Sequence, residues 1–202
     1  MPETPRRERR RLEIQSRIIE AAHHLFQSQG YRGTTVTQIC EQADVAYKTF
    51  FNHFPSKHDV LVEIEQRSLE NILSHFDLAI ATVASTRDRL ALLFERIARE
   101  AEDAGPMNRE LLTELIHSVH SRGDEPEQVQ RVIQATERLV EAGRAQGDVR
   151  LDQSVATLAE LIRGSFYVLM ISFGNLADYP IVERAAALAS ILADSIEDAE
   201  RR

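Results

Sequence analysis

The chain has 202 residues, 43% hydrophobic and 28% charged, with a formal net charge of −8. That length holds one large domain or two small ones, and that balance excludes an intrinsically disordered chain. The net acid argues against indiscriminate affinity for nucleic acid, but the charge is uneven. Residues 1–60 carry nine Lys/Arg and seven Asp/Glu, +2, whereas the rest carries fifteen and twenty-five, −10.

The basic excess is densest in RRERRR, residues 6–11. Such a run is a solvated tail by default, and a phosphate-seeking arm where a DNA-binding unit follows it. The single cysteine, Cys40, forbids an internal disulfide and suits a reducing cytoplasm. No apolar run reaches the ~18–20 residues that cross a bilayer, and no signal-peptide core follows the charged start. A cytoplasmic protein without membrane contact is the expectation.

The pattern is helical throughout, without two-residue alternation, and predicts an all-α chain of about nine helices. The first runs from about Arg9 to Ser28, with Ile14, Ile18, Ala21, Ala22, Leu25 and Phe26 on one face and Gly30 as its stop. The second opens at Thr35, with Gln38 at capping-box spacing, and ends near Ala43. A short third, about Tyr47 to Phe54, is halted by Pro55. Ser56 with Asp59 opens a long fourth to about Val83, and Ser85 with Asp88 a fifth to about Ala104. A sixth runs from Pro106 to Ser121, a seventh from Asp124 to the glycine near 147, an eighth begins after Asp152 and continues through Phe173, and a ninth starts at Pro180.

The third helix divides into two faces. At 100° per residue Thr49, Phe50, His53 and Phe54 gather on one side, and Tyr47, Lys48, Phe51 and Asn52 on the other. The first face packs on Ile39, Cys40, Val45 and the first helix. The second is a surface of aromatic, cationic and amide groups. A short helix, a tight turn and a slim second helix with such a face make a helix-turn-helix, which enters the major groove and offers donors to bases and phosphates.

Residues 33–61 resemble the signature of the TetR-type transcriptional repressors, with Gly33, Thr35, Ile39, Ala43, Val45, Thr49, Phe50, His53, Phe54, Ser56, Lys57 and Leu61 in register. The lead-in IIEAAHHLFQSQGYRGTT fits as well. There are three departures. Asp44 stands at the turn position usually held by Gly, Ala46 at the usual Ser cap, and Phe51 at the usual Tyr. The resemblance implies a DNA-binding domain over residues 1–55 and an effector-binding and dimerisation domain over 56–202. It implies Tyr47 and Lys48 as base readers with Thr37 close by, Thr35, Asn52 and Lys57 as phosphate holders, and Phe51 on the same DNA-facing surface.

Other constellations carry less. His117 and His120 are three apart on the sixth helix, but no matched acid, second cysteine or HExxH pattern makes a metal site. Cys40 reads as a small core filler. No spacing selects a nucleophile elbow, a catalytic triad or a phosphate-cradling loop, so neither catalysis nor a cofactor is expected.

In the eighth helix Leu161, Ile162, Phe166, Val168, Leu169, Met170, Ile171 and Phe173 go nearly all the way round, which reads as burial on more than one side. The ninth carries Ile181, Ala185, Leu188, Ala189, Leu192 and Ile196 on one stripe. Two such helices from each of two subunits make a four-helix interface, for which Phe166, Phe173, Ala185, Leu188 and Leu192 are the candidates, with ordinary intrachain core as the alternative. The resemblance also implies an effector cavity. Phe76, Phe94, Leu112, Ile116, His117, Tyr167 and Met170 are its candidate lining, with a filled core as the plain reading. The resulting expectation is a homodimeric repressor released from an inverted-repeat operator by a small, largely apolar effector. The rival is a helical small-molecule carrier or enzyme with no DNA role.

Overall fold

A computed structural model describes residues 6–103 and 127–198. Eight helices stand among these residues: α1 (Arg6–Gly33), α2 (Val36–Ala43), α3 (Tyr47–His53), α4 (Lys57–Thr82), α5 (Thr86–Asp103), α6 (Glu127–Gln146), α7 (Val155–Asn175) and α8 (Ile181–Ile196). The helix expected between Pro106 and Ser121 lies outside the described residues. The seventh, eighth and ninth helices of the sequence reading are therefore α6, α7 and α8.

Two apolar cores divide the chain. The first joins α1, α2 and α3 to the opening turns of α4, through Ile18, Phe26, Ile39, Phe50, Phe54, Val60 and Ile64. Each large side chain fully removed from water there contributes about 1.5–3 kcal/mol. Helix α4 thus completes the core of the unit before it, although its own sequence starts after Pro55. The second core joins the rest of α4 to α5, α6, α7 and α8, through Phe76, Leu93, Phe94, Leu139, Leu169 and Ile181. Small residues at 185, 189 and 193 line the buried face of α8, which packs on α5. Side chains that short let two helix backbones approach closely.

The helix starts follow their caps. Thr35 and Gln38 close the full capping box of α2, Thr35 N donating to Gln38 Oε1 at 2.8 Å and Gln38 N to Thr35 Oγ1 at 3.3 Å. Ser56 Oγ accepts from the amides of His58 and Asp59, and Ser85 Oγ from that of Asp88 at 3.0 Å. Ala46 supplies no side-chain cap to α3, as its methyl dictates. Gly30, at φ 80°, breaks the helical path of α1 in a region that glycine enters without strain.

One start differs from the sequence reading. Helix α1 begins at Arg6, so the arginine run is helix, not tail. Helix α7 is capped by Ser154, whose Oγ accepts from Thr157 N at 3.0 Å, while Asp152 pairs with Arg150 at 2.5 Å. An aspartate beside an arginine has a stronger partner than a helix amide.

The far end of the bundle, at the start of α5, is cross-tied. The Asp148 carboxylate accepts from Thr86 N at 2.7 Å and from Thr86 Oγ1 at 2.8 Å. Arg87 reaches Asp194 at 2.8 Å and Glu197 at 2.5 Å. Gly143 lies between these elements, where a Cβ would collide with Thr86 Oγ1 and stand 2.5 Å from Val149. An isolated bridge joins Val149 to Glu197.

Helix α7 corrects two expectations. Its buried residues, Leu158, Ala159, Ile162, Leu169, Met170 and Phe173, share one face, so it is not buried all round. Leu161 is 44% exposed and Val168 61%. By length and composition α7 is also apolar enough to cross a membrane, which the run-length reading denied. Its inner face belongs to the second core.

Candidate nucleic-acid interface

Helix α3 is held by its inner face. Phe50 is fully buried and Phe54 nearly so, with their rings 6.1 Å apart. Thr49 and His53 are half-buried beside them. Burial, and then the charge of Arg11, push the His53 imidazole below its usual range. The outer face carries Tyr47, Lys48, Phe51 and Asn52, all exposed. The Tyr47 and Phe51 rings lie 4.9 Å apart and make a small aromatic platform one turn long.

The turn into α3 passes through Asp44 in the left-handed region, at φ 50° and ψ 54°. Asp tolerates that region better than most side chains, which is how the chain does without the usual glycine. The turn has a brace. Arg17 Nη2, from α1, donates to Ala43 O at 2.5 Å, to Asp44 O at 2.9 Å and to Asp44 Oδ2 at 3.2 Å. Burial raises the Cys40 thiol above its ordinary value, as suits a core filler in α2.

The seven residues assigned to DNA contact do not behave alike. No hydrogen bond or ion pair among the described residues engages Thr37, Lys48 or Asn52, so their polar groups are available to a partner. The Thr35 hydroxyl is occupied in the capping box and also donates to Gln38 Oε1 at 3.0 Å. Lys57 points inward. Its ammonium donates to Tyr31 O at 2.6 Å and Thr34 O at 2.7 Å, and lies 4.2 Å from the centre of the Tyr31 ring. Burial lowers its pKa. The helix start that sequence reading aimed at a phosphate here clamps the corner between α1 and α2.

Beside α3 lies an open cleft of about 750 Å3. Arg6, Arg9, Arg10 and Arg17 of α1 line one side, and Asp44, Val45, Ala46 and Thr49 the other. Sequence reading treated the arginines as a loose arm and passed over Arg17. The signal was present, because positions 6, 9, 10, 13 and 17 share one helical face.

The remaining site candidates belong to the bundle. Phe76, Phe94 and Met170 are buried in the second core and Tyr167 is 37% exposed, while Leu112, Ile116 and His117 lie outside the described residues. Of the interface candidates, Phe173, Ala185 and Leu192 are buried within the single chain, and Phe166 and Leu188 are half-buried against its core. A second subunit cannot cover what the chain already covers. The apolar side chains left outward on α7 and α8 are Leu161, Val168 and Ile191, with Leu176 just beyond α7. Among the described residues no group of three or more His, Cys, Asp or Glu could hold a metal ion.

Residues 18–64, which span α2, α3 and the first core, match the family described as bacterial regulatory proteins, tetR family. The transcriptional activator FasR of Mycolicibacterium smegmatis is 30% identical over 91 residues, 45% of this chain and 39% of that protein. The fatty acid metabolism regulator protein of Bacillus subtilis is 28% identical over 79 residues, 39% of this chain and 41% of that protein. The matches thus span about two fifths of these relatives. Among solved structures, the transcriptional regulator FadR of Bacillus subtilis in complex with stearoyl-CoA has the same fold. Its TM-score is 0.71 at 19% identity, over 90% of this chain and 98% of that one.

Proposed function

We propose that this chain, which belongs to the TetR family of bacterial regulatory proteins, is a DNA-binding transcriptional repressor released by a small, largely apolar effector. The observation that carries the reading is the division of α3. Its inner face is locked by Phe50, while its outer face offers the Tyr47 hydroxyl, Lys48 and Asn52, whose side chains no hydrogen bond or ion pair engages among the described residues. Lys48 and Tyr47 read bases, Asn52 and Thr37 hold the backbone, and Phe51 packs against the sugar edge.

A two-fold dimer extends the reading. Its surface is the outward apolar stripe of α7 and α8, with Val168 and Ile191 at its centre. Two α3 helices then enter successive major grooves, about 34–36 Å apart, and the operator is an inverted repeat. The effector belongs to the bundle built on α4 to α7, among large apolar side chains such as Phe76, Phe94 and Met170. A similar sequence from Bacillus subtilis is a regulator of fatty acid metabolism, and a Bacillus subtilis structure of the same fold holds stearoyl-CoA, which makes an acyl chain the first class to try.

Repeated selection of duplexes from random-sequence DNA tests the proposal. The expected product is an inverted repeat whose half-site centres are about 10–10.5 base pairs apart. Failure to enrich any sequence would overturn the reading. A reporter driven by the selected operator gives the sign of regulation, and stearoyl-CoA added to the bound complex tests release.

A further inference from the structure

The turn that aims α3 carries a carboxylate on the face proposed to meet DNA. The Asp44 side chain is 98% exposed, and its neighbours Ala46, Tyr47 and Lys48 are exposed with it. A bare carboxylate there faces phosphates of like charge, and such a juxtaposition weakens an interface. One group answers it. Arg17 Nη2 stands 3.2 Å from Asp44 Oδ2 and also bonds the two carbonyls that begin the turn, Ala43 O and Asp44 O.

The same guanidinium lines the cleft beside α3. On α1, Arg6, Arg9 and Arg10 stand about two to three turns before it on the same side of that cleft. The acids of the lining are Glu13 and Asp44 alone, against four arginines. With Asp44 paired to Arg17, the cleft is a cationic channel that opens directly beside the reading helix.

Resting on the DNA-binding reading, we propose that Arg17 is a positioning residue for nucleic acid. It fixes the α2–α3 turn from α1 and masks the Asp44 carboxylate, so that the arginine-lined cleft seats one sugar-phosphate strand next to α3. The occupant is DNA backbone, not a free small anion, because the channel is open and its far wall, Asp44 to Ala46 and Thr49, reaches the start of α3 beside Tyr47 and Lys48. Its contact carries no base preference, so Arg17 acts on all duplexes alike. An ordinary surface ion pair would matter little to stability. The prediction is therefore a change in DNA affinity that exceeds any change in folding.

The test uses the full chain and two probes, an operator recovered by selection and a random-sequence duplex of equal length. Affinities are measured at fixed ionic strength for wild type, Arg17→Ala, Arg17→Lys and the double variant Arg17→Ala with Asp44→Gly. Thermal unfolding is followed in parallel. Arg17→Ala is expected to weaken both duplexes about tenfold, because it leaves the acid unpaired beside phosphate. Arg17→Lys keeps the charge and donors and should stay within about threefold of wild type. Adding Asp44→Gly to Arg17→Ala should restore most of the affinity, since glycine keeps the left-handed turn and removes the acid. Arg17→Ala binding within about twofold of wild type would overturn the proposal. So would a loss that tracks the fall in unfolding temperature, or one that Asp44→Gly leaves in place. Wild type binding neither duplex would instead remove the DNA-binding reading on which this rests.

Discussion

The two cores of this chain leave opposite surfaces outward. The first, around Phe50, leaves a polar and aromatic face on α3 whose side-chain donors have no hydrogen-bond partner among the described residues. The second, around Phe94 and Leu169, leaves an apolar stripe on α7 and α8. Burying the inner face satisfies each helix, so the outer face is free to be specialised, one for a wet charged partner and the other for a dry one.

The comparison breaks most sharply at Phe50. Phe50→Ala should cost about 3–5 kcal/mol, because the ring is fully buried and the site is closed by Phe54 and Ile39. Urea unfolding should then show two transitions, with the second core melting last and DNA binding already lost. A single transition shifted as a whole would show that the two cores fold as one.

On the other unit the outward stripe is the target. Val168→Glu should turn a dimer into a monomer in sedimentation at micromolar concentration, since an unpaired charge in a packed interface costs about 3–5 kcal/mol. Val168 is 61% exposed in the single chain, so the monomer's own unfolding should change little. Persistence of the dimer would move the interface elsewhere.

Two lysines sharpen the first unit. Lys48→Ala should cost about 1–3 kcal/mol of discrimination between operator and altered operator. Lys57→Met should leave that discrimination unchanged and instead lower stability by about 1–3 kcal/mol, because it removes the ammonium donor from the Thr34 carbonyl and one of two donors from the Tyr31 carbonyl. Equal effects of both lysines on base preference would contradict the inward placement of Lys57.

The smallest expected effect is on pH. Burial, and then Arg11, hold His53 below its usual range. Burial, and then His24, do the same for His23. Their unfolded forms take up protons as pH falls through about 6.5, while the folded forms resist. The stability present above that value is therefore lost as pH drops through the folded values. The unfolding temperature should fall between pH 7 and pH 5, and His53→Gln should flatten that fall. An unchanged pH profile in His53→Gln would mean the ring titrates freely.

The first unit was largely legible because its signals are local. Thr35 and Gln38 sit three apart and close their box without help from the rest of the fold. Phe50 and Phe54 declare an inner face at helical spacing. Lys57 was misread because its direction depends on a corner made by Gly30, more than twenty residues earlier. Helix α7 was misread for a related reason. Apolar residues all round a helix give no rotational phase, and only packing against α6 and α8 decides that Leu169 is inside and Val168 outside.

The inward ammonium of Lys57 has a consequence in the currency of ions. Each phosphate that a protein neutralises frees condensed counterions, and log K falls with log salt by about 0.9 for each such contact on duplex DNA. A lysine already bonded to two carbonyls frees none. Lys57→Met should therefore leave the salt slope of operator binding where it was, whereas losing Arg6, Arg9 and Arg10 should flatten it. On the proposed reading the slope counts the arginines of α1, and a sequence census that adds Lys57 overstates it by one in every head.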